Sequence, residues 1–73
     1  MEINPLTTII RDRNNTKKYF IYTFYSEQTK KWETVAVKKV NYESIKEVKM
    51  EQSYSREEAL RHHLDFIAHY SVF

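Results

Sequence analysis

Aromatic and β-branched residues are densest between Lys18 and Ser26, where Tyr19-Phe20-Ile21-Tyr22-Thr23-Phe24-Tyr25 occupy seven consecutive positions. Residues of these types favour a pleated, half-buried strand. Leu6 to Arg11, directly after Pro5, reads as a shorter strand, and Trp32 to Val40, with Thr34, Val35 and Val37 inside it, reads as another. Asp12 to Thr16 is polar with adjacent Asn14 and Asn15, a turn. Glu27 to Lys30 is a polar loop of four residues that joins the two longer strands into a hairpin.

Residues 45–52 fit two periods. Val48 and Met50 alternate with Glu47, Lys49 and Glu51, as in a strand with one wet face. Tyr42, Ile45, Val48 and Gln52 also follow a helical spacing. The stretch runs straight into a separate helix signal, so strand is the better reading. That signal is Ser55-Arg56-Glu57-Glu58, a capping box with Ser55 as N-cap and Glu58 reaching back to it. Beyond it, Ala59, Leu60, His63, Leu64, Phe66, Ile67 and Tyr70 fall in one arc at about 100° per residue. Glu57 with Arg61, and Arg61 with Asp65, form i,i+4 pairs on the flank.

The four-residue loop sets the hairpin register: Ser26 opposite Lys31, Tyr25 opposite Trp32, Tyr22 opposite Val35, Phe20 opposite Val37 and Tyr19 opposite Lys38. A slip of one residue would turn a whole strand over. In this register Phe20, Tyr22, Phe24, Val35 and Val37 share one face, the expected seat of the helix. The opposite face carries Tyr19, Ile21, Thr23, Tyr25, Trp32, Thr34 and Ala36, with Lys38 at its edge. The expected architecture is therefore α+β, a three- to four-stranded antiparallel sheet with one C-terminal helix packed on one face, in a single domain over residues 1–73.

Composition narrows what such a fold can do. The chain has no glycine, which excludes phosphate-cradling glycine loops of the Walker or dinucleotide-binding type. Positive-φ turn positions then fall to Asn14-Asn15 and Asn41. There is no cysteine, so neither a disulfide nor a thiolate zinc site can stiffen the fold. At 73 residues the stability margin is thin, and eleven Phe, Tyr and Trp residues supply most of the large apolar area. No apolar run approaches the roughly 20 residues that span a bilayer, and no signal-like pattern opens the chain, so no membrane role and a cytoplasmic location are expected.

Site chemistry is sparse. Glu58, His62, Asp65 and His69 lie on one helix face at spacings seen in metal sites. His62 and His69 are separated by about 10.5 Å along the axis, so one ion cannot touch both. A solvated face is the plainer reading; an ion bridging two molecules is the alternative. His63, in the apolar arc, reads as a core histidine. No nucleophile–base–acid or paired-carboxylate motif is discernible, so no catalytic residues, cofactor or metal are expected, and the chain reads as a non-enzyme.

These observations point to a small binding module, of the kind viral or mobile-element genes use to inhibit or redirect a host factor. Its expected surface is the aromatic sheet face, with Tyr19, Ile21, Tyr25, Trp32 and Lys38 as contacts, because Tyr and Trp dominate binding hot spots. The expected partner is another protein. The alternative is nucleic acid, held by stacking on the same face with Lys17, Lys18, Lys30, Lys31 and Lys39 bracketing it. Residues 1–40 hold eight Lys and Arg against four acids, and residues 41–73 hold four against six. The net charge of +2 argues against a polyanion. The face could instead be covered by the first strand, by the tail at Val72 and Phe73, or by a homodimer partner.

Overall fold

A computed structural model describes residues 5–71. Four strands, β1 (Leu6–Arg11), β2 (Lys17–Ser26), β3 (Lys31–Lys39) and β4 (Ile45–Ser53), precede one helix, α1 (Arg56–Tyr70). The strands pair antiparallel in chain order, giving a four-stranded meander with the helix packed against it, an α+β fold. Residues 45–53 are strand. Val72 and Phe73 lie outside the described residues.

The hairpin register is the expected one in every pair from Tyr19–Lys38 to Ser26–Lys31. Turn chemistry explains why it holds without glycine. Asn15 takes positive φ (63°) in the first turn, where the Asp12 carboxylate caps the Asn14 and Thr16 amides at 2.8 and 3.0 Å. In the second, Lys30 takes that conformation (φ 59°) and donates its amide to the Ser26 carbonyl at 2.8 Å. Asn41 does not fill this role. Its side chain instead accepts the Glu43 amide at 2.9 Å in a local turn.

β4 carries a bulge: Lys49 opposes Ala36 and Glu47 opposes Val37, leaving Val48 as the extra residue. Only Tyr54 and Ser55 separate β4 from α1, and Ser55 is the N-cap, its hydroxyl accepting the Glu58 amide at 3.2 Å. Of the arc residues, Ala59, His63 and Phe66 are buried and Leu60, Ile67 and Tyr70 half-buried, whereas Leu64 is 66% exposed.

The helix does not sit on the face that hydrophobicity selects. It covers Tyr19, Ile21, Thr23, Thr34 and Ala36, and leaves Phe20, Tyr22, Phe24, Val35 and Val37 on the other side. The core proper is small: Ile10, Ile21, Ala36 and Phe66, flanked by Tyr19, Ile67 and Tyr70. Four polar residues are buried with it, Thr23, Thr34, Ser53 and His63.

Candidate binding face of the sheet

Polar matching explains the helix placement. Two adjacent histidines of α1 reach the sheet, His63 from the apolar arc and His62 from its flank, and buried ring nitrogens need partners. Thr8, Thr23, Thr34 and Ser53 all fall on one face by alternation, and that face receives the helix. His63 Nδ1 lies 2.7 Å from Thr23 Oγ1 and Nε2 lies 2.8 Å from Thr8 Oγ1. Thr23 Oγ1 continues to Thr34 Oγ1 at 3.1 Å, which donates to the Ala59 carbonyl at 3.4 Å. His62 Nδ1 lies 2.8 Å from Ser53 Oγ. On the other face Phe20, Val35 and Val37 would offer these rings nothing.

The relay has one direction. Thr34 spends its proton on the Ala59 carbonyl, so Thr23 must donate to Thr34. Thr23 is then an acceptor towards His63, which fixes the ring proton on Nδ1 and leaves Nε2 to accept from Thr8. Burial pushes the His63 pKa below its usual 6.5. A neutral ring in a satisfied network is a structural core element.

The expected contact residues are therefore relocated. Ile21 is fully buried under the helix. Tyr19 packs on Tyr70, ring centroids 4.7 Å apart, and burial beside it raises the Tyr70 pKa. Tyr25 and Trp32 meet edge to face at 5.8 Å and are half-buried; Trp32 also lines a cavity of about 300 Å³ with Pro5, Leu6, Thr23, Arg56 and Leu60. Lys38 is exposed beside Tyr19 at the rim of the covered face. Open aromatic contacts were expected there; the structure places them under and beside the helix.

The open face is the other one, arranged in cross-strand rows. One row holds Phe24, Glu33 and Gln52; the next Thr7, Tyr22, Val35 and Met50; the next Ile9, Phe20 and Val37, with Glu47 and Val48 at the bulge. The last holds Lys18, Lys39 and Ile45. Phe20 and Tyr22 stack at 6.4 Å with 10° between their planes. Ile9, Val48 and Met50 remain 38–44% exposed. No described element covers these rows. The face is more apolar than the one the helix buries.

The lysines divide between the two ends. Lys17, Lys18 and Lys39 line a cavity of about 250 Å³ with Thr16, Val40, Asn41 and Tyr42 at the basic end of the open face. Lys18 lies 3.7 Å from the Asp12 carboxylate, whose pKa is lowered by the Thr16 amide and further by the Asn14 amide and Lys18. The Lys39 ammonium sits over the Tyr42 ring at 5.4 Å. At the other end, Lys31 lies over the Tyr54 ring at 5.2 Å, and Lys30 contacts Glu27 at 3.3 Å in an exposed pair.

The acid–histidine face of the helix does not form as expected. Glu58, Asp65 and His69 lie on its outer side, but His62 turns to Ser53 and is half-buried. Among the described residues no group of three His, Cys, Asp or Glu side chains is placed to hold a metal ion. No helix among them is long and apolar enough to cross a membrane.

Fold and site together define the class: a small α+β domain, a four-stranded antiparallel meander backed by one helix, with an apolar sheet face that no described element covers. Compared with known proteins, the chain matches no family model, no curated protein and no solved structure.

Proposed function

We propose that this chain is a non-enzymatic protein-binding module whose docking surface is the open sheet face built by Phe20, Tyr22, Phe24, Val35, Val48 and Met50. One observation carries the reading: the helix covers the more polar face of the sheet, and among the described residues nothing covers the more apolar one. An apolar patch of that extent, edged by charged residues, marks an interaction surface in a small domain. The aromatic residues on it are of the type that anchors interfaces. Inhibition or redirection of a host factor is the activity such a module is suited to.

The test is affinity capture from a cell extract with the wild-type chain, a Tyr22→Lys variant and a helix-face control, His69→Ala. Proteins retained by wild type and control but lost by Tyr22→Lys support the reading. Retention that is identical for all three removes the open face from the argument. Nucleic acid is the second reading, favoured by the Lys17, Lys18 and Lys39 cluster at one end of the same face. It requires binding of a labelled single-stranded oligonucleotide that weakens steeply with salt.

A further inference from the structure

We propose that the occupant of the open face is a second copy of this chain, packed sheet to sheet about a two-fold axis running across the strands. The inference rests on the reading of that face as a docking surface and names what docks there; a target protein then competes with the second copy.

Charge placement carries it first. Read along the strands, the four rows run from acidic (Phe24, Glu33, Gln52) through two apolar rows to basic (Lys18, Lys39, Ile45). A two-fold axis across the strands, between the Tyr22 and Phe20 rows, reverses this order in the second copy. Glu33 of each chain then faces Lys39 of the other, and the Tyr22 row of one lies over the Phe20 row of the other. Each contact is made twice, as a closed isologous interface demands. An axis parallel to the strands, midway between β2 and β3, would instead set Lys39 on Lys18 and Glu33 on Phe24, leaving like charges in contact and the carboxylate unpaired. Glu33 and Lys39 are both half-buried already, so little more ordering is needed to pair them. Glu47, on the edge strand, keeps its access to water.

Area is the second argument. Four strands about 4.8 Å apart and four rows about 6.8 Å apart give roughly 500 Å² per copy, and a pair buries about 1,000 Å², the lower bound for a specific interface. The third is need. Among the described residues the buried apolar side chains are Ile10, Ile21, Ala36, Val37, Ala59 and Phe66, two of them alanines, and the chain has no cysteine to form a disulfide. Domains this small commonly gain the missing burial by oligomerising. Burying Phe20, Tyr22 and Val35 against their copies does this with residues present in every molecule.

The experiment is sedimentation velocity of the purified chain from about 1 to about 200 µM, for wild type, Glu33→Lys, Lys39→Glu and the double exchange, with far-ultraviolet circular dichroism to confirm folding. The proposal expects a concentration-dependent dimer. Each single exchange should weaken it by roughly ten-fold, two ion pairs being replaced by two like-charge contacts, and the double exchange should restore it. Val35→Lys, at the centre, should leave a monomer. If the single variants lose their fold, wild type, the double exchange and Val35→Lys still decide: dimerisation equal in the first two and lost in the third supports the proposal, and loss in the double exchange overturns it. A wild-type monomer throughout overturns the second copy while leaving the docking face to the capture experiment. Dimerisation indifferent to Val35→Lys places the interface elsewhere and overturns the proposal, again leaving the docking face to the capture experiment. A monomer that shifts only with a labelled oligonucleotide overturns the proposal in favour of the nucleic-acid reading.

Discussion

Thr23→Val is nearly isosteric and tests the polar core directly. Thr23 is 2% exposed, and its hydroxyl accepts from His63 Nδ1 at 2.7 Å while donating to Thr34 at 3.1 Å. Valine removes both bonds and strands the Nδ1 proton against a methyl group. A buried donor left unpaired costs about 1–3 kcal/mol, and the added buried methyl returns about 0.8 kcal/mol. The ring has an escape: moving its proton to Nε2 lets Thr8 Oγ1 accept it, leaving only a lone pair unmatched. The net loss should then be about 1–2 kcal/mol, a fall in Tm of about 4–16 °C for a domain of this size. Thermal unfolding followed by circular dichroism reads the loss, and ring ¹⁵N chemical shifts read the tautomer. The expected result is a lower Tm with His63 switching from the Nδ1–H form to the Nε2–H form. An unchanged or raised Tm, or an Nε2–H ring in the wild type, would refute the direction assigned to the relay.

Stability should also depend on pH in two separate windows. Because burial depresses the folded-state pKa of His63 below 6.5, the unfolded chain binds its proton first; the contribution of the neutral ring is full above 6.5 and is lost as pH falls from there to the folded pKa. NMR titration of the His63 ring should give a midpoint below 6.5, and a midpoint at or above it would sink the argument. The carboxylate of Asp12, depressed below 3.8, contributes above that value and loses its contribution only at lower pH; urea unfolding of Asp12→Asn should show no further loss there. Phe66→Ala, in the centre of a core with few large side chains, should cost about 3–5 kcal/mol and leave the chain largely unfolded at room temperature by circular dichroism. Lys30→Asn should raise stability by about 0.5 kcal/mol in urea titration, because asparagine tolerates the positive φ of 59° better and the Lys30–Glu27 pair is solvent-exposed.

Sequence alone determined what local chemistry controls. Loop length and alternation set the β2–β3 register pair for pair, the capping box set the start of α1, and Asn15 supplied a turn that glycine usually makes. Alternation also sorted β2 and β3 into two sets of residues, each of which shares a face. Which set met the helix was decided by the tertiary structure. Both sets are rich in apolar side chains, so hydrophobicity ranks Phe20, Tyr22, Phe24, Val35 and Val37 as the core, and the candidate face was inverted accordingly. A signal was present: Thr8, Thr23, Thr34 and Ser53 fall on one side, and the helix that follows carries adjacent histidines at 62 and 63. Reading it requires knowing that His62 as well as His63 reaches the sheet, and that depends on how α1 crosses all four strands. The two-residue link from β4 and the small side chains of Thr34, Ala36 and Ala59 allow that close crossing. Apolar area contributes to packing on either face, but the hydroxyls of Thr8, Thr23 and Ser53 that His63 and His62 bond lie on only one, and that asymmetry turned the aromatic rows of β2 away from the helix.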